Sequence, residues 1–331
     1  IMKVSTERTG DYGIKKEIIN LIKIKNKVVF MNSITYGKAI CYSGYRKDQT
    51  PIKQIYPTYE NILEDLKILE SDFDYIRMYD SGAHTKMTLE TIRKHNIQLK
   101  VLVGMDLLGE SSNENCSWGG DYTVDEIARN IEYNQNQLYQ AIELVNEYKD
   151  IVLAVSAGNE AVPEWNENLV SPGRVLYFVQ ELKKYTDVPV TYCDNNYYWR
   201  DLLQEVAKEV DFISIHIYPV WLGANVSDGI TTSIREFNEI NNLYPDKQVI
   251  ITETGWPTNS NGGQIPKEHA NELNQLFFNN ELDRYTQRNG ITCFFFEAFD
   301  EFWKGSERID EPEKHWGYYY DNRTPKRIKT K

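Results

Sequence analysis

The sequence predicts an α/β protein built as a single (β/α)8 TIM barrel. Eight short apolar runs alternate with longer amphipathic segments, which is typical of βα units around a parallel sheet. The repeat continues through 35–331 without a Pro/Gly/Ser-rich linker or a break in composition, so one barrel is favoured over two domains. Residues 1–34 are predicted to form a basic, poorly patterned N-terminal extension. A short basic tail at 322–331 ends the chain, and both ends are expected to be solvated.

Each predicted strand is a short apolar or β-branched run. In chain order the strands are Tyr36–Tyr42, Tyr75–Tyr79, Leu99–Met105, Ile151–Ala157, Val188–Cys193, Phe212–Tyr218, Val249–Glu253 and Thr292–Glu297. Between them, apolar residues recur every three or four positions, which indicates helices. These helices are predicted at Tyr59–Glu70, Thr88–His95, Val124–Tyr148, Gly173–Tyr185, Leu202–Lys208, Ile230–Leu243 and Lys267–Arg288, with Pro172 and Pro266 in first turns.

Composition and charge narrow the class of function. Lys and Arg number 37 against 49 Asp and Glu, a formal net charge of −12, so no nucleic-acid partner is expected. Uncharged apolar runs are too short for a membrane span. The five His are scattered and neither HExxH nor CxxC occurs, so we expect no metal site. Aromatic residues reach 13%, and their rings suit stacking on sugars as well as core packing.

Two predicted strands end in a glutamate. The fourth strand leads into Asn159 and Glu160, and the seventh ends in Glu253. Because reactive groups in such barrels come from the carboxyl ends of strands, we expect the two carboxyl groups to converge. Cleavage of a glycosidic bond uses a protonated acid and a second carboxylate, and a negative neighbour raises the pKa of the acid. Taken singly, each glutamate fits equally well beside a helix N-terminus.

Several motifs resemble glycoside hydrolase family 17. They are AVSAGNE at 154–160, DFISIHIYP at 211–219, ITETGWP at 251–257 and FFFEAFDEFWK at 294–304, with RMYD at 77–80 and EKHWG at 313–317 as further elements. The eighth-strand motif is more similar to fungal and bacterial members than to plant endoglucanases, except that Phe302 stands where Pro is expected. The resemblance implies a retaining hydrolase that cleaves laminarin-type β-1,3-glucan by double displacement, with transglycosylation as a further reaction and without a cofactor.

The resemblance also implies roles for individual residues. Glu160 matches the general acid/base and Glu253 the nucleophile, which in a retaining enzyme lie about 5–5.5 Å apart. Asn159 is similar to the amide that binds the sugar 2-hydroxyl, and Tyr218 is expected to orient the nucleophile. Glu301 and Lys304 resemble a pair near the family's active site, and Glu313 matches another family carboxylate. A surface ion pair is the alternative for the last three.

Further side chains at or beyond strand ends are candidates for sugar contact, with core packing as their alternative. They are Tyr42, Tyr79, Asp80, Trp221, Trp256, Glu297 and Trp303. A polar and aromatic cluster after the fifth strand is a candidate for acceptor subsites: Asn195, Asn196, Tyr198 and Trp199.

Other readings of the same motifs stay open. The main activity could be β-1,3-glucanosyl transfer, or cleavage of another β-glycan. A third reading is a non-catalytic β-glucan-binding barrel, although such a protein would be expected to lack one of the two glutamates. The family resemblance leads us to expect an extracellular, periplasmic or cell-wall location.

Overall fold

The computed structural model describes residues 33–329, and its centre is a closed barrel of eight parallel strands. Each strand pairs with the next in chain order, and the eighth returns to pair with the first. This confirms the predicted (β/α)8 barrel. The strands are β1 (Lys38–Cys41), β2 (Tyr75–Arg77), β3 (Lys100–Val103), β4 (Val152–Asn159), β5 (Val190–Asn195), β6 (Phe212–His216), β7 (Gln248–Thr254) and β8 (Cys293–Phe295).

Seven α-helices connect consecutive strands. They are α1 (Tyr59–Leu69), α2 (Ala83–His95), α3 (Val124–Glu147), α4 (Pro172–Tyr185), α5 (Gln204–Glu209), α6 (Val226–Leu243) and α7 (Glu272–Asn289). Within residues 33–329 no α-helix follows β8, and two short 3-10 turns, Pro312–Lys314 and Arg327–Lys329, occur there instead. None of the helices in this range is both long and apolar enough to cross a membrane.

Polar caps decide where several helices begin. Thr58 and Thr123 form capping boxes that start α1 and α3. The predicted start of α7 was wrong, because the Asn271 side chain accepts from the Asn274 N–H and starts the helix after Pro266. The predicted strand positions were closer to the structure than the predicted helix starts, because an asparagine that caps a helix cannot be told from a loop asparagine in the sequence.

Alternate residues of the strands face two separate apolar cores. Ala39 and Cys41 of β1 belong to a small core inside the barrel, whereas Ile40 between them belongs to the large core under the helices. This is the two-residue period of a strand buried on both faces. Ile34 also belongs to the inner core, and its backbone N–H and C=O are bonded to the Gln248 side chain. The rest of the predicted N-terminal extension, 1–32, lies outside the described residues.

The C-terminal segment is not solvated as expected. Arg323 and Lys326 are almost fully buried. Two nitrogens of Arg323 each donate to Asp65 of α1 at 2.7 Å, and Lys326 Nζ donates to Asp300 Oδ1 at 2.7 Å. A basic tail looks solvated in the sequence because nothing there reveals acidic partners that lie far away along the chain. The tail thus packs against the barrel where no α-helix follows β8.

We expect Arg323→Ala to lower the free energy of unfolding by about 3 kcal/mol, because the buried Asp65 carboxylate loses its bidentate partner. The expected loss is at the lower end for a broken buried pair, since Arg46 Nη2 remains 3.2 Å from Asp65. Urea unfolding measures the change. Arg308→Ala, which removes an exposed pair with Asp310, is the control and should leave stability unchanged. Equal effects of the two substitutions would contradict the argument.

Candidate active site

Glu160 and Glu253 converge at the carboxyl end of the barrel, where one imidazole joins them. Glu160 directly follows β4, and Glu253 lies in β7. His216 Nδ1, from β6, is 2.9 Å from Glu160 Oε1 and 3.7 Å from Glu253 Oε2. The two oxygens are therefore no farther apart than 2.9 Å and 3.7 Å taken together, about 6.6 Å. The carboxyl groups thus share one site, as the motif positions predict.

Glu253 is held as an anion by three partners. Its Oε1 forms an ion pair with Arg77, and its Oε2 accepts a hydrogen bond from the Tyr218 hydroxyl at 2.8 Å. Burial favours the neutral acid, but the charges of His216 and Arg77 and the Tyr218 hydrogen bond outweigh it and lower the pKa of Glu253 to about 2. The hydrogen bond expected from Tyr218 is present.

Arg77 ties three strands together at this site. It lies at the end of β2 and is 2% exposed. One guanidinium nitrogen donates to Asn159 at the end of β4, and the other contacts Glu253 and the Thr252 carbonyl of β7. The ring of Tyr79 lies 4.5 Å from the guanidinium carbon. The sequence reasoning assigned Arg77 no role, although its position in the RMYD motif was a usable signal.

His216 was also missed, because a single histidine in an apolar strand looks like a core residue. Burial lowers the pKa of its imidazole, but the charges of Glu253 and Glu160 outweigh burial and raise this pKa to about 10. His216 is therefore an imidazolium at neutral pH and places a positive charge between the two glutamates. The Cys193 side chain is a further hydrogen-bond partner of the His216 ring.

A second charged cluster lies on the segment after β8. Lys304 forms ion pairs with Glu297 and, at 3.2 Å, with Glu301. Glu301 also accepts hydrogen bonds from Ser43 Oγ, the Tyr45 N–H and Trp303 Nε1. The expected pair is thus an ion pair, but it is enclosed and does not lie on the surface.

Glu313 is influenced by the charges of both glutamates of the site. Burial raises the pKa of Glu313, Lys304 opposes that rise, and the charges of Glu253 and Glu160 add to it, giving about 7. The resemblance matches Glu313 to another family carboxylate, and the charges of both glutamates act on it in the folded chain.

Two side chains that were predicted to contact sugar are buried instead. Trp256 is fully buried, with its ring against Phe278 and its Nε1 donating to the His269 carbonyl. Tyr42 is 1% exposed and its hydroxyl is bonded to Asp65. A strand-end position in the sequence does not reveal which way a ring points, so both were misread as rim residues.

Burial also excludes three other candidates from direct contact with sugar. Glu297 and Glu301 are each 1% exposed, so they support Lys304 and Trp303 and do not contact sugar directly. Trp199 is fully buried and donates to the Ser214 carbonyl, which removes it from the acceptor cluster.

The remaining candidates keep an exposed part. Tyr79, Asp80, Asn159, Trp221 and Trp303 are all half-buried. Trp221 packs against Trp316, which in turn packs against Tyr218, so this ring is linked to the glutamate site. Trp303 packs edge-on against Tyr45, which follows β1. Among residues 33–329, no group of three or more His, Cys, Asp and Glu side chains is arranged to hold a metal ion.

The chain is similar in sequence to known proteins over most of its barrel. The profile of the BtgE/BtgC glycoside hydrolase domain matches residues 39–317. A protein of Aspergillus terreus named "Probable glucan endo-1,3-beta-glucosidase btgC" is 24% identical over 81% of this chain and 41% of its own length. The "Glucan 1,3-beta-glucosidase" of Schizosaccharomyces pombe is 34% identical over 42% of this chain and 44% of its own. The chain spans about two fifths of the length of the Aspergillus relatives it matches.

Solved structures agree with these sequence relatives. An endo-laminarinase from Formosa Hel1_33_131 superposes with a TM-score of 0.75 at 25% identity, covering 88% of this chain and 85% of that chain. A glycoside hydrolase family 17 β-1,3-glucanosyltransferase from Rhizomucor miehei, with a TM-score of 0.68 at 17% identity, covers 88% and 95% and shows the shared fold alone. The chain belongs to the BtgE/BtgC glycoside hydrolase domain family, which confirms the family resemblance of its motifs.

Proposed function

We propose that this chain is a retaining glycoside hydrolase that cleaves laminarin-type β-1,3-glucan, with Glu253 as nucleophile and Glu160 as general acid/base. The observation that carries the proposal is the shared contact of both carboxylates with His216, which limits the separation of two of their oxygens to about 6.6 Å. A separation of that order is compatible with the roughly 5–5.5 Å between the two carboxyl groups of retaining enzymes.

The first step uses the ionised state of Glu253. One Glu253 oxygen attacks the anomeric carbon and forms a glycosyl ester while the bond to the departing oxygen breaks. Glu160 gives its proton to that departing oxygen. Arg77 and Tyr218 each hold a different oxygen of Glu253, so the carboxylate enters the reaction oriented and does not have to lose rotational freedom in the transition state.

The second step reverses the role of Glu160. As a carboxylate it removes a proton from an incoming hydroxyl, whose oxygen attacks the anomeric carbon and breaks the ester bond to Glu253. Water as the acceptor gives hydrolysis, and a sugar hydroxyl gives transfer of the glucan. The proposal gives hydrolysis as the main outcome and glucanosyl transfer as the alternative.

The substrate class rests on the relatives and on the open rings of the site. The names of the fungal relatives and of the Formosa endo-laminarinase all refer to β-1,3-glucan or laminarin. Tyr79, Trp221 and Trp303 are half-buried aromatic residues that lie at or beyond strand ends, and such rings stack well on sugar faces. Because a polysaccharide cannot cross a membrane, we also propose that the chain acts in the extracellular space, the periplasm or the cell wall.

Product analysis tests the proposal directly. We expect laminaripentaose to be cleaved, and the first reducing ends seen by proton NMR to be β-anomers, because two displacements retain the configuration. Cello- and manno-oligosaccharides are the control substrates and should react much more slowly. Products longer than the pentasaccharide in most turnovers would make transfer the main activity. An initial α-anomer would contradict the retaining mechanism.

Glu253→Gln should lower kcat at least about a thousandfold, because the amide removes the nucleophile while keeping the shape of the side chain. Binding of the oligosaccharide, measured by calorimetry, should persist. Glu239→Gln, an exposed position on α6, is the matched control and should keep full activity. Near-normal turnover of the Glu253 variant would refute its assignment.

His216→Gln should move the acid limb of kcat/KM to higher pH. Glu253 must be ionised to attack, and its lowered pKa keeps it ionised far into acid. Loss of the imidazolium removes one positive neighbour, so the pKa of Glu253 rises toward its ordinary value of 4.5 and activity is lost sooner as the pH falls. His95→Gln, an exposed change at the end of α2, is the control. An acid limb that stays in place or moves lower would show that His216 does not sustain the anion.

A further inference from the structure

Glu160 stands on a backbone conformation that is uncommon for its residue type. Its φ is +45°, in the left-handed region that few residues other than glycine adopt. A turn of this kind at a strand end aims the side chain in a direction that the regular strand would not allow. It persists only where neighbouring groups hold the peptides on both sides.

Those peptides are held mainly by β5, the neighbouring strand. The Glu160 N–H donates to the Cys193 carbonyl at 2.9 Å, and the next N–H, that of Ala161, donates to the Tyr192 hydroxyl at 2.8 Å. The Asn166 side chain donates to the Glu160 carbonyl from the following loop. The backbone of Glu160 is therefore fixed by three hydrogen bonds, of which the one to Tyr192 depends on a side chain of β5.

The Tyr192 hydroxyl is itself oriented by a buried carboxyl group. It donates to Asp194 Oδ2 at 2.6 Å, and the Asn195 N–H donates to the other oxygen of Asp194 at 2.7 Å. Tyr192 and Asp194 are two residues apart, so their side chains leave β5 on the same face. Burial and the Asp194 charge raise the pKa of Tyr192, which keeps its proton available for this bond.

The mechanism proposed above does not use Asp194. This side chain is fully buried, and burying a carboxyl group is costly unless its oxygens are hydrogen-bonded. Both of its oxygens have donors, and the resulting chain of bonds runs from the Ala161 N–H through the Tyr192 hydroxyl to Asp194. The chain ends on the peptide that directly follows Glu160.

We propose that Tyr192 and Asp194 are positioning residues that hold Glu160 in the orientation needed for proton transfer. The inference rests on the proposed function, in which Glu160 is the acid/base. Tyr192 fixes the peptide after Glu160, and Asp194 fixes the direction of the Tyr192 hydroxyl. Neither residue contacts Glu253, whose own partners are Arg77, Tyr218 and His216. Loss of the Tyr192 hydroxyl therefore weakens proton transfer and spares attack by the nucleophile.

The test compares two aryl β-laminaribiosides that differ in how much they need an acid. Dinitrophenolate leaves without a proton, whereas phenolate requires one, so only the phenyl substrate reports on Glu160. In Tyr192→Phe, kcat/KM for the phenyl substrate should fall about tenfold or more and kcat/KM for the dinitrophenyl substrate should stay within about twofold. The ratio of the two values is measured on one preparation, so a partly unfolded sample leaves it unchanged.

Two further variants complete the experiment. Tyr75→Phe is the matched control, because it removes a tyrosine hydroxyl bonded to the Thr35 carbonyl beside the start of β2, and it should leave the ratio unchanged. Asp194→Asn should change the ratio in the same direction as Tyr192→Phe. Equal losses on both substrates, or no loss on either, would overturn the positioning role. Glu160→Ala must show the same selectivity in larger measure, and its failure to do so would instead overturn the proposed function.

Discussion

The buried ion pair between Arg77 and Glu253 is the interaction on which the rest of the site depends. Both side chains are almost fully buried, and such a pair is stable only when its remaining donors and acceptors are also satisfied. Arg77 bonds to Asn159 and the Thr252 carbonyl, and Glu253 accepts from Tyr218. These groups come from β2, β4 and β7 and from the second residue after β6, which approach one another only because the barrel closes.

Three cations lie among the carboxyl groups of the site. Arg77 and His216 contact Glu253, and Lys304 pairs with Glu297 and Glu301. Glu253 sits closest to two of the cations, which explains its low pKa, whereas Glu313 lies beside other anions and has its pKa raised to about 7. The same burial thus yields one carboxyl group kept ionised and another that binds a proton near neutrality. Placement among fixed charges decides the difference.

The alternation of short apolar runs with amphipathic segments was sufficient to predict the barrel, since both are local properties of the sequence. The two glutamates were also predictable, because each interrupts an apolar strand at its end. His216 was not, since one polar residue in an apolar run looks the same whether it serves a site or the core. Arg77 was given no role, although the RMYD motif contains it. The predicted sugar contact of Trp256 was wrong because the direction in which a ring points at a strand end depends on the turn that follows. The tail was wrongly predicted to be solvated, because its partners Asp65 and Asp300 lie far away along the chain.

The tail also supports one wall of the site. Lys326 donates to Asp300, and Asp300 also accepts from the Gly317 N–H. The segment 300–317 therefore begins at Asp300 and ends at a residue that is bonded to the same carboxylate. Within it, Lys314 Nζ donates to the carbonyls of Phe302 and Lys304. Phe302 thus occupies the position where proline was expected while its carbonyl is held by a lysine. This segment carries Trp303, Lys304 and Glu313, so hydrogen bonds from buried lysines, and not the packing of an eighth α-helix, fix the backbone that bears these side chains.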